Sequence, residues 1–159
     1  MTDTLAEARI RLRAEMNGEG AHCPCCGRWA KVNPFHITAA ARGRAILWFR
    51  AIHQSRPGEW ISTHQYPRWM VKTHNYPSLK HWGLIEELPK PDDPKAKVSG
   101  FWRITPSGLD FAEGRIMVPK TAWVYDSECL KLTGHHVGIR ACTGLFSYSE
   151  MMSLRFNET

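Results

Sequence analysis

The first hydrophobic pattern in the chain predicts an amphipathic helix. Thr4 and Glu7 form a capping-box pattern, in which the two side chains satisfy free N–H groups at the start of a helix. Gly18 and Gly20 are typical of its end. The apolar residues between them stand at helical spacing: Leu5, Ala8, Leu12 and Met16. We predict a first helix of about three turns with a solvated outer face.

A second pattern predicts the central helix of the domain. Thr38 is a good N-cap residue, and Arg56, Pro57 and Gly58 are typical of a helix end. The apolar residues between these limits repeat at i, i+4, i+7, i+8 and i+11: Ala41, Ala45, Trp48, Phe49 and Ile52. Leu47 falls on the opposite side, so we expect a helix that is packed on two sides.

Shorter patterns between residues 59 and 114 predict a strand, two short helices, a hairpin and another helical turn. Pro67 and Pro77 stand in the first turns of the helices, where the missing N–H is not needed, and Gly83 is a typical stop. The predicted elements are a strand at 59–62, helices at 67–72 and 75–82, strands at 84–88 and 100–105 joined by a loop over 89–99, and a turn of helix after Thr105.

The C-terminal third predicts a second hairpin and a short helix. Two apolar segments, 121–125 and 130–132, flank a turn-rich stretch at 126–128. Ser147 and Glu150 form another capping box, which predicts a helix containing Met151, Met152 and Leu154. We therefore predict an α+β fold in four parts: an N-terminal helix (1–20), a cysteine-containing loop (21–36), a central domain (37–114) and a hairpin-helix extension folded onto it (115–159).

Two segments carry a resemblance to a known superfamily. They are 79–86, with the sequence LKHWGLIE, and 100–108, with the sequence GFWRITPSG. Together with the order of predicted elements over 37–114, they resemble a winged helix-turn-helix domain, in which a Thr caps the helix after the wing. The same fragments are similar to small proteins encoded in phage and prophage genomes.

The resemblance implies a DNA-binding surface around residues 76–82, the helix that would enter the major groove. The side chains implied to face bases or phosphates are Asn75, Tyr76, Ser78 and Lys80, with Arg68, Lys72 and His74 on the DNA backbone. Lys90, Lys95 and Lys97 would give the wing positive charge, although Asp92 and Asp93 lie between them. Leu79 and Trp82 are assigned to the core.

Charge placement supports a polyanionic partner. The chain has 159 residues, 43% of them hydrophobic and 23% charged, with a net charge of +6, which indicates a globular domain. Residues 21–82 contain nine basic residues and one acidic residue, a net charge of +8, together with six of the eight histidines. Such a block favours binding to the phosphate backbone of a nucleic acid.

We find no signal-like or membrane-spanning stretch in the sequence and expect a cytosolic protein.

Five cysteines, three of them in Cys23-Pro24-Cys25-Cys26-Gly27, favour a reduced compartment and a metal site. Cys23 and Cys26 match the CPxCG half of a zinc ribbon, so we predict a structural zinc ion. Its remaining ligands would come from a second subunit or from this set: His22, Cys25, His36, Cys129, His135, His136 and Cys142. A metal-free loop of reactive thiols is the alternative.

No motif of esterases, nucleotide hydrolases, dinucleotide-binding enzymes or metalloproteases occurs in the sequence, which favours a protein without catalysis. We predict a DNA-binding protein that acts in transcription control or in interference with a host. Two alternatives stay open. One is a protein-interaction module anchored by the aromatic residues Trp60, Tyr66, Trp69 and Tyr76. The other is an RNA- or ribosome-associated protein.

Overall fold

The computed structural model describes residues 4–142 as a mixture of helices and antiparallel sheets. Helices within this range are α1 Leu5–Met16, α2 Ala40–Ser55, α3 Arg68–Thr73 and α4 Pro106–Ala112. Short 3-10 helices are η1 Thr63–Gln65, η2 Tyr76–Trp82 and η3 Ile139–Cys142. The strands are β1 Ala21–His22, β2 Trp29–Ala30, β3 Asn33–His36, β4 Ile61–Ser62, β5 Ile85–Lys90, β6 Asp93–Ile104, β7 Val118–Tyr125 and β8 Glu128–Val137. None of the described helices has the length and apolarity that a membrane crossing requires.

Helix α1 begins at the predicted capping box. The Thr4 hydroxyl accepts the Glu7 N–H at 3.2 Å, and the Glu7 carboxylate accepts the Thr4 N–H at 2.8 Å. Met16, at the other end, packs with Ala30 and Val32 in a small second core that also contacts side chains of β7. The predicted first helix is confirmed, and it lies against the β1–β2 ribbon.

Helix α2 forms the centre of the main core. Five consecutive residues, from Ala45 to Phe49, are buried, so both sides of the helix are packed as predicted. Its start differs from the prediction. Ala39 occupies the N-cap position and no side chain caps the helix, so the role assigned to Thr38 is wrong. The Arg56 N–H closes the last turn on the Ile52 carbonyl at 2.8 Å.

The central sheet has the order β4-β6-β5, with every pair antiparallel. The loop predicted over 89–99 is wrong, because β5 and β6 extend through most of it and turn at residues 91 and 92. Register shifts around Pro89 interrupt the pairing, and such bulges accommodate a residue that cannot donate to the ladder. The proline- and lysine-rich composition therefore marks an irregular hairpin rather than a loop.

The two short helices occur where they are predicted, but the second is of a different type. Residues 76–82 form a 3-10 helix rather than an α-helix. His74 separates the two helices in a left-handed conformation, with φ of 51°. Gly83 ends the second one at φ 71°, and its N–H donates to the carbonyls of Leu79 and Lys80.

Helix α4 packs very closely on the end of η2. The Thr105 hydroxyl accepts the Gly108 N–H at 3.0 Å, which confirms the predicted cap, and it donates to the Gly83 carbonyl at 2.6 Å. A Cβ atom on residue 108 would lie 2.0 Å from the Leu84 carbonyl oxygen. Glycine at this position is therefore a requirement of packing rather than of backbone conformation.

In a second antiparallel sheet, with the order β3-β7-β8, strand β3 from the N-terminal part of the chain pairs with the β7–β8 hairpin from the C-terminal part. The predicted hairpin is present and is longer, and it turns at Asp126 and Ser127, both at positive φ. Strand β3 was not predicted, and it pairs with β7 across the boundaries proposed at 36/37 and 114/115. The main core likewise includes residues from both sides of 114/115. The C-terminal helix predicted over 147–154 lies outside the described residues.

Candidate nucleic-acid interface and cysteine loop

The three arginines of α2, and Arg56 at its C-cap, all have partners within the protein. Arg44 stacks over the Trp69 ring at 4.0 Å, Arg50 lies 3.5 Å from Glu113, and Arg56 pairs with Glu59 at 2.5 Å. Arg42 is buried. The positive charge of residues 21–82 is therefore smaller on the surface than the sequence indicates, and only part of it can reach a ligand.

Arg42 connects three elements of the fold. Its Nε donates to the Ser78 hydroxyl at 2.6 Å and its Nη1 donates to the His36 carbonyl at 2.8 Å, while the guanidinium lies 5.1 Å from the Phe35 ring centre. Burial lowers the pKa of Arg42. Ser78 in turn donates to the Asn75 carbonyl at 2.5 Å. Ser78 is buried, so its predicted contact with DNA is corrected to a structural role in fixing η2 on α2.

Tyr76 also lies in the core instead of on the surface. Its ring makes edge-to-face contacts with Tyr66 at 5.1 Å and Trp102 at 6.2 Å, and burial raises its pKa. The predicted DNA contact of Tyr76 is therefore wrong. The core assignment of Leu79 and Trp82 is confirmed, since both are buried.

Three cations near the α3–η2 turn remain exposed. Arg68 and Lys72 lie on α3, and Lys80 lies on η2. Within residues 4–142 these three side chains have neither a hydrogen bond nor an ion pair, in contrast to the arginines of α2. His74 is exposed in the turn between the helices and Asn75 is half-buried. Of the polar residues predicted on this face, these five remain accessible.

Lys80 lies at the junction of two grooves. One groove, about 290 Å³, separates η2 from the β7–β8 turn and is also bordered by His74 and His81. The other, about 310 Å³, runs between η2 and the β5–β6 hairpin and is also bordered by Lys97 and Glu87. Lys80 therefore links the helical face to the hairpin.

The hairpin carries mixed charge. Lys90, Lys95 and Lys97 are exposed, as the resemblance implies. Asp93 accepts the Lys95 N–H at 3.1 Å, so this carboxylate is fixed among the lysines. Glu86, at the base of the hairpin, pairs with Arg103 at 2.7 Å. A polyanion would meet alternating charges on the hairpin and uniform positive charge on α3.

The cysteine loop is a tight turn at the end of the β1–β2 ribbon. The Gly27 N–H donates to the Cys23 carbonyl and the Cys23 N–H donates to the Arg28 carbonyl, both at 2.8 Å. Cys23 is half-buried, and Cys25 and Cys26 are exposed. Hydrogen bonds from the backbone N–H groups of Cys26 and Cys25 lower the pKa of the Cys23 thiol. The loop therefore favours a thiolate at Cys23, the form that binds metal.

Apart from Cys25 in this loop and His22 beside it, the other predicted metal ligands belong to other elements of the fold. Among residues 4–142, no three Cys, His, Asp or Glu side chains gather into a group that would hold a metal ion. His36 lies 2.9 Å from the Thr121 hydroxyl, and Cys129 contacts the Lys131 carbonyl. His135 and His136 are exposed on β8. Cys142 is fully buried, its thiol contacts the Gly138 carbonyl at 3.4 Å, and burial raises its pKa to about 12.

The aromatic residues predicted as protein-docking anchors are engaged within the fold. Tyr66 and Tyr76 are buried, Trp69 is covered by Arg44, and Trp60 lies 4.0 Å from the Arg103 guanidinium. The exposed tryptophan is instead Trp29, beside the cysteine loop, with 56% of its surface accessible. Trp29 falls in segment 21–36, which the sequence analysis interpreted as a metal-binding loop and not as a docking surface.

The cationic face of α3 and η2 and the cysteine loop with Trp29 are both accessible to a ligand. Comparison with family models, curated proteins and solved structures finds no significant match for this chain.

Proposed function

We propose that this chain is a non-catalytic DNA-binding protein and that residues 37–114 form a winged helix-turn-helix module. The order α2, β4, α3, η2, β5, β6, with the sheet order β4-β6-β5, supports this proposal. In such a module one helix enters the major groove, which is about 12 Å wide, and the hairpin reaches the neighbouring backbone. Here η2 would enter the groove and β5–β6 would be the wing.

The observation that carries the proposal is the contrast between two sets of cations. The arginines of α2 and the C-cap Arg56 are held by carboxylates, aromatic rings and carbonyl groups, whereas Arg68, Lys72 and Lys80 have no intramolecular partner in residues 4–142. Unpaired cations on adjacent short helices attract phosphates, since each contact releases condensed counterions.

The accessible side chains favour backbone contacts over base recognition. Tyr76 and Ser78 are buried, which leaves Asn75 as the polar, uncharged group at the start of η2. Base contacts require donors and acceptors that reach the groove floor, whereas lysines mainly position a protein on phosphates. We therefore expect modest sequence preference and strong salt dependence.

The test is fluorescence anisotropy with a labelled 20-base-pair duplex between 50 and 300 mM salt. The slope of log affinity against log salt is negative, and the double variant Lys72→Gln/Lys80→Gln should make it less steep by about 1.8, because each lost phosphate contact reduces the steepness of the slope by about 0.9. At 100 mM salt, the loss of these two phosphate contacts predicts about 60-fold weaker binding. The control Lys31→Gln/Lys131→Gln removes equal charge away from α3 and η2.

Equal losses in the two double variants would show that net charge, and not this surface, causes binding, and would contradict the proposal. Parallel titrations with single-stranded DNA and with duplex RNA compare the alternative nucleic acids. Tighter binding to RNA than to duplex DNA would replace the proposed function with an RNA-binding one. No salt-sensitive binding to any of the three would refute a nucleic-acid function.

A further inference from the structure

The cysteine loop offers two sulfur ligands in a preformed arrangement. Cys23 and Cys26 stand two residues apart in a turn that three backbone-directed hydrogen bonds hold: the two bonds described above and one of 3.0 Å between His22 Nδ1 and the Gly27 carbonyl. Gly27 takes φ of 74°, which a side chain would strain. These bonds and the left-handed glycine define the shape of the turn, in which Cys23 is half-buried and Cys26 is exposed.

The described part of the chain, residues 4–142, does not complete a tetrahedral site around these sulfurs. Zinc in a structural site takes four ligands, almost always Cys or His. Among the described residues, no third Cys, His, Asp or Glu joins Cys23 and Cys26 in a metal-binding group. Residues 143–159 contain neither Cys nor His. The missing two thiolate or imidazole ligands must therefore come from another molecule.

We propose that two copies of this chain share one Zn²⁺ ion, to which each copy contributes Cys23 and Cys26. A two-fold axis through the metal would present the same two sulfurs from each copy, so one half-site repeated twice gives a closed Cys₄ set. Four thiolates around Zn²⁺ carry a net charge of −2. The exposed Arg28 of each loop would offset that charge.

The surface beside the loop fits a second copy of the chain. Trp29 directly follows Arg28 and is paired with His22 across the β1–β2 ribbon, where the two rings meet edge to face at 5.1 Å. More than half of the Trp29 surface is exposed. Tryptophan is enriched at the centres of interfaces, and a two-fold contact through the metal would bring both Trp29 rings into the same interface.

Metal content and mass together test this proposal on the full chain. Protein purified with a phosphine reductant should contain 0.5 zinc per chain by elemental analysis and should sediment as a dimer. A strong chelator should remove the zinc and convert the dimer to monomer. Co²⁺ in place of Zn²⁺ should give thiolate charge-transfer absorption and the intense visible bands of a tetrahedral site, with saturation at one Co²⁺ per two chains.

Single substitutions identify the ligands. Cys23→Ser and Cys26→Ser should each abolish metal binding and dimerisation. Cys129→Ser, at a half-buried thiol on β8, and Cys25→Ser should retain both. The loop lies outside the main core, so far-UV circular dichroism should be unchanged in all four variants.

Three results would overturn the proposal: one zinc per monomer, a metal-free protein with a Cys23–Cys26 disulfide under reducing conditions, or a dimer that survives the chelator. The stoichiometry of the wild-type protein decides the matter even if a variant fails to fold. None of these measurements involves nucleic acid, so the shared metal site and the proposed DNA binding can fail separately.

Discussion

Gly43 in helix α2 gives a sharp test of how the C-terminal part of the described chain packs. An alanine in a helix is more favourable than a glycine by about 1 kcal/mol, so propensity alone predicts that Gly43→Ala stabilises the protein. The structure predicts the opposite. A Cβ atom on residue 43 would lie 1.8 Å from the Cys142 carbonyl oxygen, well inside an ordinary contact of 3.4–4 Å. Either α2 or η3 must move.

The size of the effect follows from what the displaced η3 loses. Overpacking a core costs about 1–3 kcal/mol, and exposing the buried Ile139 side chain costs about 1.5–3 kcal/mol. The two outcomes are alternatives, because detachment of η3 relieves the clash. After the gain of about 1 kcal/mol from helix propensity, either outcome leaves a net destabilisation of up to about 2 kcal/mol.

Urea unfolding followed by tryptophan fluorescence measures this loss, and cysteine labelling locates it. Burial raises the pKa of Cys142 to about 12, so below pH 8 its thiolate fraction is about three orders of magnitude below that of an ordinary thiol. Peptide-resolved alkylation of Cys142 should be at least about tenfold faster in the variant. Gly138→Ala is the matched control, since the nearest atom to its Cβ lies 3.8 Å away. A Gly43→Ala protein as stable as wild type, with Cys142 still protected, would refute this packing.

Two further predictions concern the ends of η2. Gly108→Ala should destabilise the protein by about 1–3 kcal/mol in urea unfolding, because its Cβ would press on the Leu84 carbonyl at 2.0 Å. His81 should make the protein less stable in acid. Burial first, and then the charges of Lys80 and Arg42, lower its pKa in the folded state. The unfolded chain therefore binds more protons below about pH 6.5, and His81→Gln should flatten the fall in unfolding free energy between pH 7 and 5.5.

Each of these two variants has a matched control variant at an exposed position. Ser107→Ala changes an exposed position in the same first turn of α4 and should stay within about 0.5 kcal/mol of wild type. His64→Gln removes an exposed imidazole from η1 and should leave the pH dependence as in wild type. A Gly108→Ala protein with wild-type stability would contradict the close packing of Gly108 on the Leu84 carbonyl. A His81→Gln protein whose unfolding free energy falls as steeply with acid as that of wild type would contradict the burial of His81.

The candidate site was only partly predictable from the sequence. Arg68, Lys72 and Lys80 belong to the basic block, were selected from it by the resemblance, and lie exposed in the structure. Tyr76 comes from the same segment and is buried, because the period of three in a 3-10 helix places it on one face with Leu79 and Trp82. Ser78 lies on another face and is buried against Arg42 of α2. Short segments rarely reveal whether they follow this period or the period of about 3.6 in an α-helix.

Local rules were sufficient where neighbours in sequence make the contact. The capping box at Thr4, the stop at Gly83 and the cap at Thr105 all involve groups within five residues, and each occurs as predicted. The two-sided burial of α2 follows from the density of its apolar residues, which leaves no polar face wide enough for solvent.

Distant contacts decided the rest of the molecule. Periodicity and cap residues place most helices and both hairpins along the chain, and the positions of the cations are read directly from the sequence. The pairing of β3 with β7 and the burial of Arg42 against Ser78 appear only in the folded protein, as does the lack, within residues 4–142, of a third metal ligand beside Cys23 and Cys26. Pairing and burial depend on groups brought together from distant parts of the chain, and no spacing along the sequence specifies such partners.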